Sequence, residues 1–281
     1  MKFGANSFIW VSPLSTQSLD LLNKVQAMGF DLFELAIEDP LLIDLPAFRD
    51  RLEQLGLGCS VCGAFGPQRD LAHEDPQTRA NAQEYIRGLV DAAQALGAAV
   101  VAGPMYSATG KARLLPPNER RAERQRAAAG LRQAASYARD RGVKLAIEPL
   151  NRFETDMINT TAQGLELIEE VGAPNLGLHL DTFHMHLEET DSAAAIRQAG
   201  PRLFYFHASE NDRGVPGSGQ VHWPEVAAAL KAIDYQGAVV IESFTPQLEE
   251  IARVVCLWRP LAPDQDTIAR DGLHFLQGLF A

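Results

Sequence analysis

The sequence predicts a single α/β domain, a (β/α)8 TIM barrel that spans residues 1–281. Short apolar runs rich in Val, Ile, Leu and Phe alternate with longer segments of helical period. Eight such pairs share 281 residues, or about 35 residues each, which suits this architecture. Glycines also stand between helical segments and the following strands, as is common at helix C-termini: Gly29, Gly56, Gly97, Gly142, Gly172 and Gly200.

Eight apolar segments are predicted as the strands. They cover residues 2–10, 30–38, 57–66, 99–106, 143–149, 176–183, 203–209 and 237–244. Helical stretches are predicted between the strands, for example at residues 77–97, 119–142, 160–172 and 222–234. A doubly wound sheet is the alternative, but neither G-x-G-x-x-G after the first strand nor G-x-x-x-x-G-K-[ST] occurs. Residues 245–266 exceed what the last crossover requires, and we expect them to form an extra segment near the barrel mouth.

Composition and charge narrow the classes of partner. The hydrophobic content of 46% provides a sizeable core, and the net charge of −11 argues against a nucleic acid or an anionic membrane as a partner. No apolar run reaches the roughly 18 residues of a membrane span, and the segment MKFGANSF lacks the apolar region of a signal peptide. We therefore expect a cytoplasmic protein.

Two cysteines form a C-x-x-C pattern, which is typical of some metal and redox sites. Cys59 and Cys62 lie in a predicted strand, where residues three apart face opposite sides. No second C-x-x-C completes a zinc site. We therefore interpret both as structural cysteines.

Four consecutive predicted strands end in a side chain that can bind a metal. Glu148 ends the fifth, Asp181 the sixth, His207 the seventh and Glu242 the eighth. Each alone could cap a helix or form a buried hydrogen bond. In a barrel, however, strand C-termini converge on one rim where the chemistry takes place. Three carboxylates and one imidazole suit Mn²⁺, Co²⁺ or Mg²⁺ better than structural zinc, so we predict one divalent ion held by these four residues, which we call the rim cluster.

Two glutamates of the rim cluster would bracket a bound substrate. Glu148 and Glu242 lie on strands three apart in a ring of eight. If a ketose chelated the ion through its carbonyl and adjacent hydroxyl, the ion would act as a Lewis acid and stabilise an enediolate. One glutamate could remove a proton while the other returned one on the opposite face. This arrangement favours epimerisation over simple isomerisation.

The motifs around these residues resemble the D-tagatose 3-epimerase family, which includes D-psicose and L-ribulose 3-epimerases of the xylose-isomerase-like barrels. The matching stretches are AIEPLNRFET at 146–155, HLDTFHMH at 179–186, HASENDRGVPGSGQVHW at 207–223 and VIESF at 240–244. Residues 70–98 are similar to the segment after the family's third strand. The resemblance implies a metal-dependent ketose 3-epimerase that inverts C3 of a free ketose such as D-tagatose, D-psicose, D-fructose or L-ribulose.

The resemblance also implies roles for individual residues. The rim cluster matches the family's metal ligands, with Glu148 and Glu242 also forming the proton-transfer pair. Glu154 matches a side chain that contacts the sugar near its carbonyl end, and His184 and Arg213 match its partners. The implied cofactor is one Mn²⁺, with Co²⁺ or Mg²⁺ as alternatives, and the implied assembly is a homodimer or homotetramer.

The apolar wall of the pocket is predicted from position alone. Phe8, Cys62 and Phe244 lie near strand ends and are expected to line the substrate site. Some family members carry a tryptophan in the loop after the fourth strand, whereas this loop reads PMYSATGK. The preferred ketose therefore stays open.

Three other functions are compatible with a barrel of this type. The nearest is an aldose–ketose or hydroxypyruvate isomerase on the same scaffold. An endonuclease would need more histidine ligands and a basic face, which the net charge of −11 disfavours. A non-catalytic sugar-binding barrel would not require both bracketing glutamates.

Overall fold

The computed structural model describes residues 1–281 and confirms the (β/α)8 barrel. Eight parallel strands pair in sequence order, and β8 pairs with β1 to close the ring. The strands are β1 (Lys2–Asn6), β2 (Leu32–Ile37), β3 (Gly58–Gly63), β4 (Val100–Gly103), β5 (Lys144–Ile147), β6 (Leu176–Asp181), β7 (Leu203–His207) and β8 (Ala238–Ile241).

Ten helices surround the barrel or cover its C-terminal end. They are α1 (Leu21–Met28), α2 (Leu45–Leu55), α3 (Pro76–Leu96), α4 (Pro117–Arg139), α5 (Thr161–Val171), α6 (Thr182–Glu188), α7 (Ser192–Ala199), α8 (Trp223–Ala232), α9 (Glu249–Val254) and α10 (Gln265–Phe280). None of them is long and apolar enough to cross a membrane.

Several strands are shorter than the apolar segments that predicted them, and in β1 and β6 the early end coincides with a polar side chain that caps the following turn or helix. The first segment extends to residue 10, but β1 ends at Asn6, whose side chain accepts a hydrogen bond from Phe8 N and starts a 3₁₀ turn. Likewise β6 ends at Asp181, which accepts from Phe183 N at 2.8 Å and caps α6. Asn6 and Asp181 therefore each end a strand and also cap the turn or helix that follows it.

Four of the six predicted helix-ending glycines cap a helix directly, and two do not. Gly29, Gly56, Gly97 and Gly172 each follow a helix directly with a left-handed backbone. By contrast, α4 ends at Arg139, and Gly142 comes three residues later with φ 71°. Gly200 starts a 3₁₀ turn after α7 rather than forming a left-handed cap.

The core lies mainly between the strands and the helices, in a cluster of 66 buried residues. Inside the barrel a smaller layer contains residues such as Ala102, Ala146 and Val240. Because side chains alternate along a strand, the residues two positions beyond Ala146 and Val240 also face inward. These residues are Glu148 and Glu242, so the inner layer supports polar side chains at the rim.

Candidate active site

The structure brings the rim cluster together at the C-terminal end of the barrel. Ligand atoms of Asp181, His207 and Glu242 lie within 4.8 Å of one another. His207 Nδ1 is 3.5 Å from Glu242 Oε2 and 4.0 Å from Asp181 Oδ2. Glu148 forms equally close groups, one with Asp181 and His184 and another with His179 and His207. All four members of the rim cluster are buried.

Arg213 bridges two of these carboxylates. Its Nη1 lies 2.6 Å from Asp181 Oδ2 and 2.7 Å from Glu242 Oε2. Its Nη2 is 3.3 Å from His184 Nε2, and its guanidinium lies 4.1 Å from the centre of the Phe183 ring. Arg213 thus connects the rim cluster to the predicted substrate contacts.

The backbone of Arg213 is held in an unusual conformation. Its φ of 66° lies in the left-handed region, which costs free energy for a residue with a side chain. Arg213 N donates to Glu210 O at 2.9 Å, and Ser243 Oγ donates to Arg213 O at 2.6 Å. These contacts compensate for the strain and aim the guanidinium into the barrel.

Burial and neighbouring charges shift the pKa values of the rim carboxylates in different directions. Burial, reinforced by Glu242, raises the pKa of Glu148 well above its ordinary value. Burial also raises the pKa of Asp181, although Arg213 opposes the shift. For Glu242, the attraction of His207 and Arg213 outweighs burial and holds the pKa well below the ordinary value. The site therefore distinguishes its two glutamates electrostatically.

The pKa values of the three buried histidines are also shifted in opposite directions. Burial disfavours the charged form of His207, but Glu34 and Glu242 outweigh it and raise the pKa of His207 well above 6.5. Burial and nearby positive charge lower the pKa values of His179 and His184 well below 6.5. At neutral pH these two imidazoles are neutral.

The donor set fits a divalent cation. His207 Nδ1 and both ring nitrogens of His179 are buried without a hydrogen-bond partner. Such atoms are rare, because an unpaired buried polar atom costs free energy. His207 Nδ1 faces Asp181 and Glu242, so an ion at this point would satisfy the nitrogen and offset the carboxylate charges. The four rim residues would hold the ion, and His179 lies beside one of them, Glu148.

All six predicted substrate contacts line one cavity beside the rim cluster. They are Phe8, Cys62, Glu154, His184, Arg213 and Phe244. Glu148 and Glu242 line the same cavity. The centres of the Phe8 and Phe244 rings are 5.5 Å apart, and Ile251 of α9 adds a further apolar wall. The cavity thus has a polar end at the rim cluster and an apolar end.

Asn151 positions two of the predicted contacts. Its Nδ2 donates to Glu154 Oε1 at 2.7 Å, and its backbone N donates to His184 Nδ1 at 3.1 Å. His184 Nε2 consequently faces Arg213 and Glu148, 3.7 Å from Glu148 Oε1. The loop after β5 and the start of α6 therefore present these side chains to the cavity together.

The two C-x-x-C cysteines are separate free thiols. Cys62 faces the cavity, while Cys59 Sγ lies 3.5 Å from Leu96 O on the outside of the barrel. Burial raises the pKa of Cys59 to about 12, so this thiol stays protonated at neutral pH. The geometry agrees with the structural interpretation.

Sequence reasoning missed three polar residues at the site, Asn6, Glu34 and His179. Glu34 Oε2 lies 2.7 Å from His207 Nε2, and Asn6 Nδ2 donates to the same oxygen at 2.7 Å. His179 Nδ1 is 3.5 Å from Glu148 Oε2. Each is an inward polar residue in a buried strand, and that position was the available signal.

Comparison with known proteins agrees with this geometry. Residues 22–279 match the family described as the xylose isomerase-like TIM barrel. An L-ribulose 3-epimerase from Methylomonas sp. (strain DH-1) is 33% identical over 280 residues, which cover 99% of this chain and 97% of that protein. A D-psicose 3-epimerase from Enterocloster bolteae is 32% identical, with coverage of 100% and 96%.

A solved structure of a ketose 3-epimerase is also similar to this chain. The crystal structure of a D-allulose 3-epimerase from Methylomonas sp. in complex with D-allulose superposes with a TM-score of 0.93 at 33% identity. The match covers 99% of this chain and 96% of that chain. This chain therefore belongs to the xylose isomerase-like TIM barrel family, within its group of ketose 3-epimerases, which are isomerases.

Proposed function

We propose that this protein is a metal-dependent ketose 3-epimerase that inverts C3 of a free ketose. The observation that carries the proposal is the placement of Glu148 and Glu242. Both carboxylates line one cavity, each one residue beyond the end of its strand (β5 and β8), next to a group of buried ligand atoms. Relatives named L-ribulose and D-psicose 3-epimerases support the choice of a ketose.

The rim cluster would hold one divalent ion, with Mn²⁺ preferred and Co²⁺ or Mg²⁺ as alternatives. When bound, the ion supplies a Lewis acid for the carbonyl oxygen and the adjacent hydroxyl of the ketose. The unpaired Nδ1 of His207 and the three buried carboxylates are the features that support this assignment.

The proton transfers belong to the two glutamates. One carboxylate removes the proton from C3 on one face, and the other returns a proton on the opposite face. Because Glu148 and Glu242 approach from strands three apart, the carbon is inverted rather than restored. Exclusion of water by the apolar walls, including Phe8 and Phe244, strengthens these charge interactions.

The remaining polar residues bind and orient the substrate. Arg213 and His184 are placed to donate to the oxygen on which negative charge develops, and Glu154 is placed to accept from a sugar hydroxyl. Residues 245–266, which include α9, would form the outer part of the pocket beside the mouth. A homodimer or homotetramer in the cytoplasm is part of the same proposal.

Solvent-deuterium exchange tests the proposed reaction. The wild-type enzyme is incubated in D₂O with free ketopentoses and ketohexoses, and the label is located by NMR. We expect deuterium at C3 together with the C3 epimer. Label only at C1 would instead identify an aldose–ketose isomerase, and an absence of exchange with every ketose would contradict the proposal.

Two variants test the roles of the glutamates. Glu148→Gln and Glu242→Gln should each abolish C3 exchange, because an amide cannot accept the proton. Glu225→Gln is the matched control, since Glu225 is exposed at the start of α8 and outside the cavity. Wild-type exchange in either active-site variant would overturn the two-base scheme.

A further inference from the structure

A carboxylate outside the predicted site lies behind the rim cluster. Glu34 sits in the middle of β2, a strand whose six residues are all buried, and it is fully shielded from solvent. Its Oε2 accepts from Asn6 Nδ2 at 2.7 Å and lies 2.7 Å from His207 Nε2. The contact joins strands on different parts of the ring, 173 residues apart in sequence.

The arrangement is more costly than a purely structural role requires. A buried carboxylate must recover its lost hydration through hydrogen bonds, yet Glu34 Oε1 has no partner. An apolar side chain of similar volume would fill the same space without this cost. The oxygen that does have partners is Oε2, which contacts both Asn6 and His207. We therefore look for the role of the Glu34 carboxylate in these two contacts.

The contact determines which nitrogen of His207 faces the rim cluster. With Nε2–H donated to Glu34, the ring presents Nδ1 to Asp181 and Glu242. Asn6 extends the restraint, since the same Nδ2 lies 3.4 Å from Glu242 Oε1. Asn6 is itself fixed, because its Oδ1 accepts from Phe8 N at 2.8 Å.

We propose that Glu34 is a positioning residue that orients His207 toward the ion site, with Asn6 linking it to Glu242. This inference rests on the proposed metal-dependent function. Partners of this kind are general at metal sites, where a carboxylate behind a histidine orients the ring and raises its basicity. Here the partner comes from β2, which contributes none of the four rim residues.

The test measures metal binding rather than turnover. Mn²⁺ affinity is determined by isothermal titration calorimetry for the wild-type protein, for Glu34→Gln and for Glu123→Gln. The control Glu123 is a buried glutamate that pairs with Arg113 and Lys111 away from the cavity. We expect Glu34→Gln to weaken Mn²⁺ binding by about 10- to 100-fold and the control to stay within about twofold of wild type.

A structural readout separates this inference from the proposed function. Crystal structures of wild-type and Glu34→Leu protein show whether the His207 ring turns when the acceptor for its Nε2–H is removed, since glutamine would keep an acceptor oxygen. A wild-type protein that binds no Mn²⁺, Co²⁺ or Mg²⁺ would refute the metal-dependent function, and the ring orientation would then decide the positioning role. A turned ring supports that role.

Two results would overturn the inference. One is wild-type Mn²⁺ affinity in Glu34→Gln, and the other is an unchanged His207 ring in the Glu34→Leu crystal structure. If Glu34→Gln does not fold, Glu34→Asp replaces it, because it keeps the charge but withdraws the carboxylate by one methylene. A tenfold loss of Mn²⁺ affinity in Glu34→Asp supports the role, and wild-type affinity contradicts it.

Discussion

The loop between β7 and α8 carries Arg213, and one buried carboxylate holds it together. Glu210 is fully shielded from solvent. Its Oε2 accepts from Gly217 N at 2.8 Å and from Trp223 Nε1 at 2.9 Å, and its Oε1 accepts from Val221 N at 3.0 Å. We predict that Glu210→Gln loosens this loop and so disturbs Arg213.

The magnitude follows from the hydrogen bonds that an amide cannot make. Glutamine at position 210 has one acceptor oxygen, so its amide nitrogen faces N–H donors that the carboxylate now satisfies. A hydrogen bond to a charged group contributes about 1.5–3 kcal/mol, and at least one is lost. Because contacts within one network do not add and water can enter, we expect a loss of about 2–4 kcal/mol. For a chain of 281 residues, this lowers Tm by roughly 4–8 °C.

Activity should fall as well, since Arg213 depends on this loop. A displacement of about 1 Å at a catalytic contact can reduce the rate about 100-fold. Thermal unfolding followed by circular dichroism gives the stability, and steady-state epimerisation gives kcat and KM. The exposed Glu225→Gln is again the control. A Tm within about 1 °C of wild type would refute the reasoning, because 1 kcal/mol already shifts Tm by about 2 °C.

The effect should depend on pH with a defined sign. Burial tends to raise the pKa of Glu210, but the hydrogen bonds from Trp223 and the loop backbone outweigh it and hold the pKa below 4.5. A carboxyl whose pKa is depressed in the folded state stabilises the protein above its unfolded pKa. That contribution is lost as the pH falls through the folded value. The stability difference between wild type and Glu210→Gln should therefore be full at pH 7 and shrink below about pH 4.5.

Three further predictions concern the cavity, the ion and the barrel wall. Glu154→Gln should change KM or kcat by about tenfold with little change in Tm, as measured by steady-state kinetics, and unchanged kinetics would exclude a substrate contact. EDTA should abolish epimerisation, and added Mn²⁺ should restore it and raise Tm in a thermal-shift assay; full activity in EDTA would contradict a metal requirement. Gly177→Ala should destabilise the protein by about 1–3 kcal/mol in urea unfolding, because its Cβ would lie 2.5 Å from the Phe204 ring and 2.6 Å from Arg202 O. An unchanged urea midpoint would contradict this prediction, because it would show that Phe204 and Arg202 can move to make room for the added Cβ.

The closed barrel could be predicted because its signal is repetitive. Eight apolar segments each recur with a helical segment, so an error at one boundary does not change the architecture. The boundaries were less predictable, since Asn6 and Asp181 lie in strands but also cap the following turn or helix. Local pattern alone cannot separate these roles, because both are satisfied by the same polar side chain at the rim.

The rim cluster was accessible to the same reasoning. Glu148, Asp181, His207 and Glu242 all stand at strand ends, where topology brings side chains together whatever their distance in sequence. Arg213 was inferred only through family resemblance. Its side chain reaches the rim cluster because Glu210 organises an irregular loop. The sequence of such a loop has no periodic pattern of apolar residues from which its structure could be predicted.

Glu34 shows where a stronger inference was possible. In the segment DLFELAIE, Phe33 and Leu35 pack in the core between strands and helices, so the alternation turns Glu34 into the barrel. An inward carboxylate without water needs a cationic, imidazole or amide partner on another strand of the ring. In the β1–β2 register Asn6 lies opposite Glu34, and His207 is an inward imidazole at the end of β7. Once the closed barrel is assumed, burial of this single charge therefore predicts a second set of polar contacts behind the rim cluster.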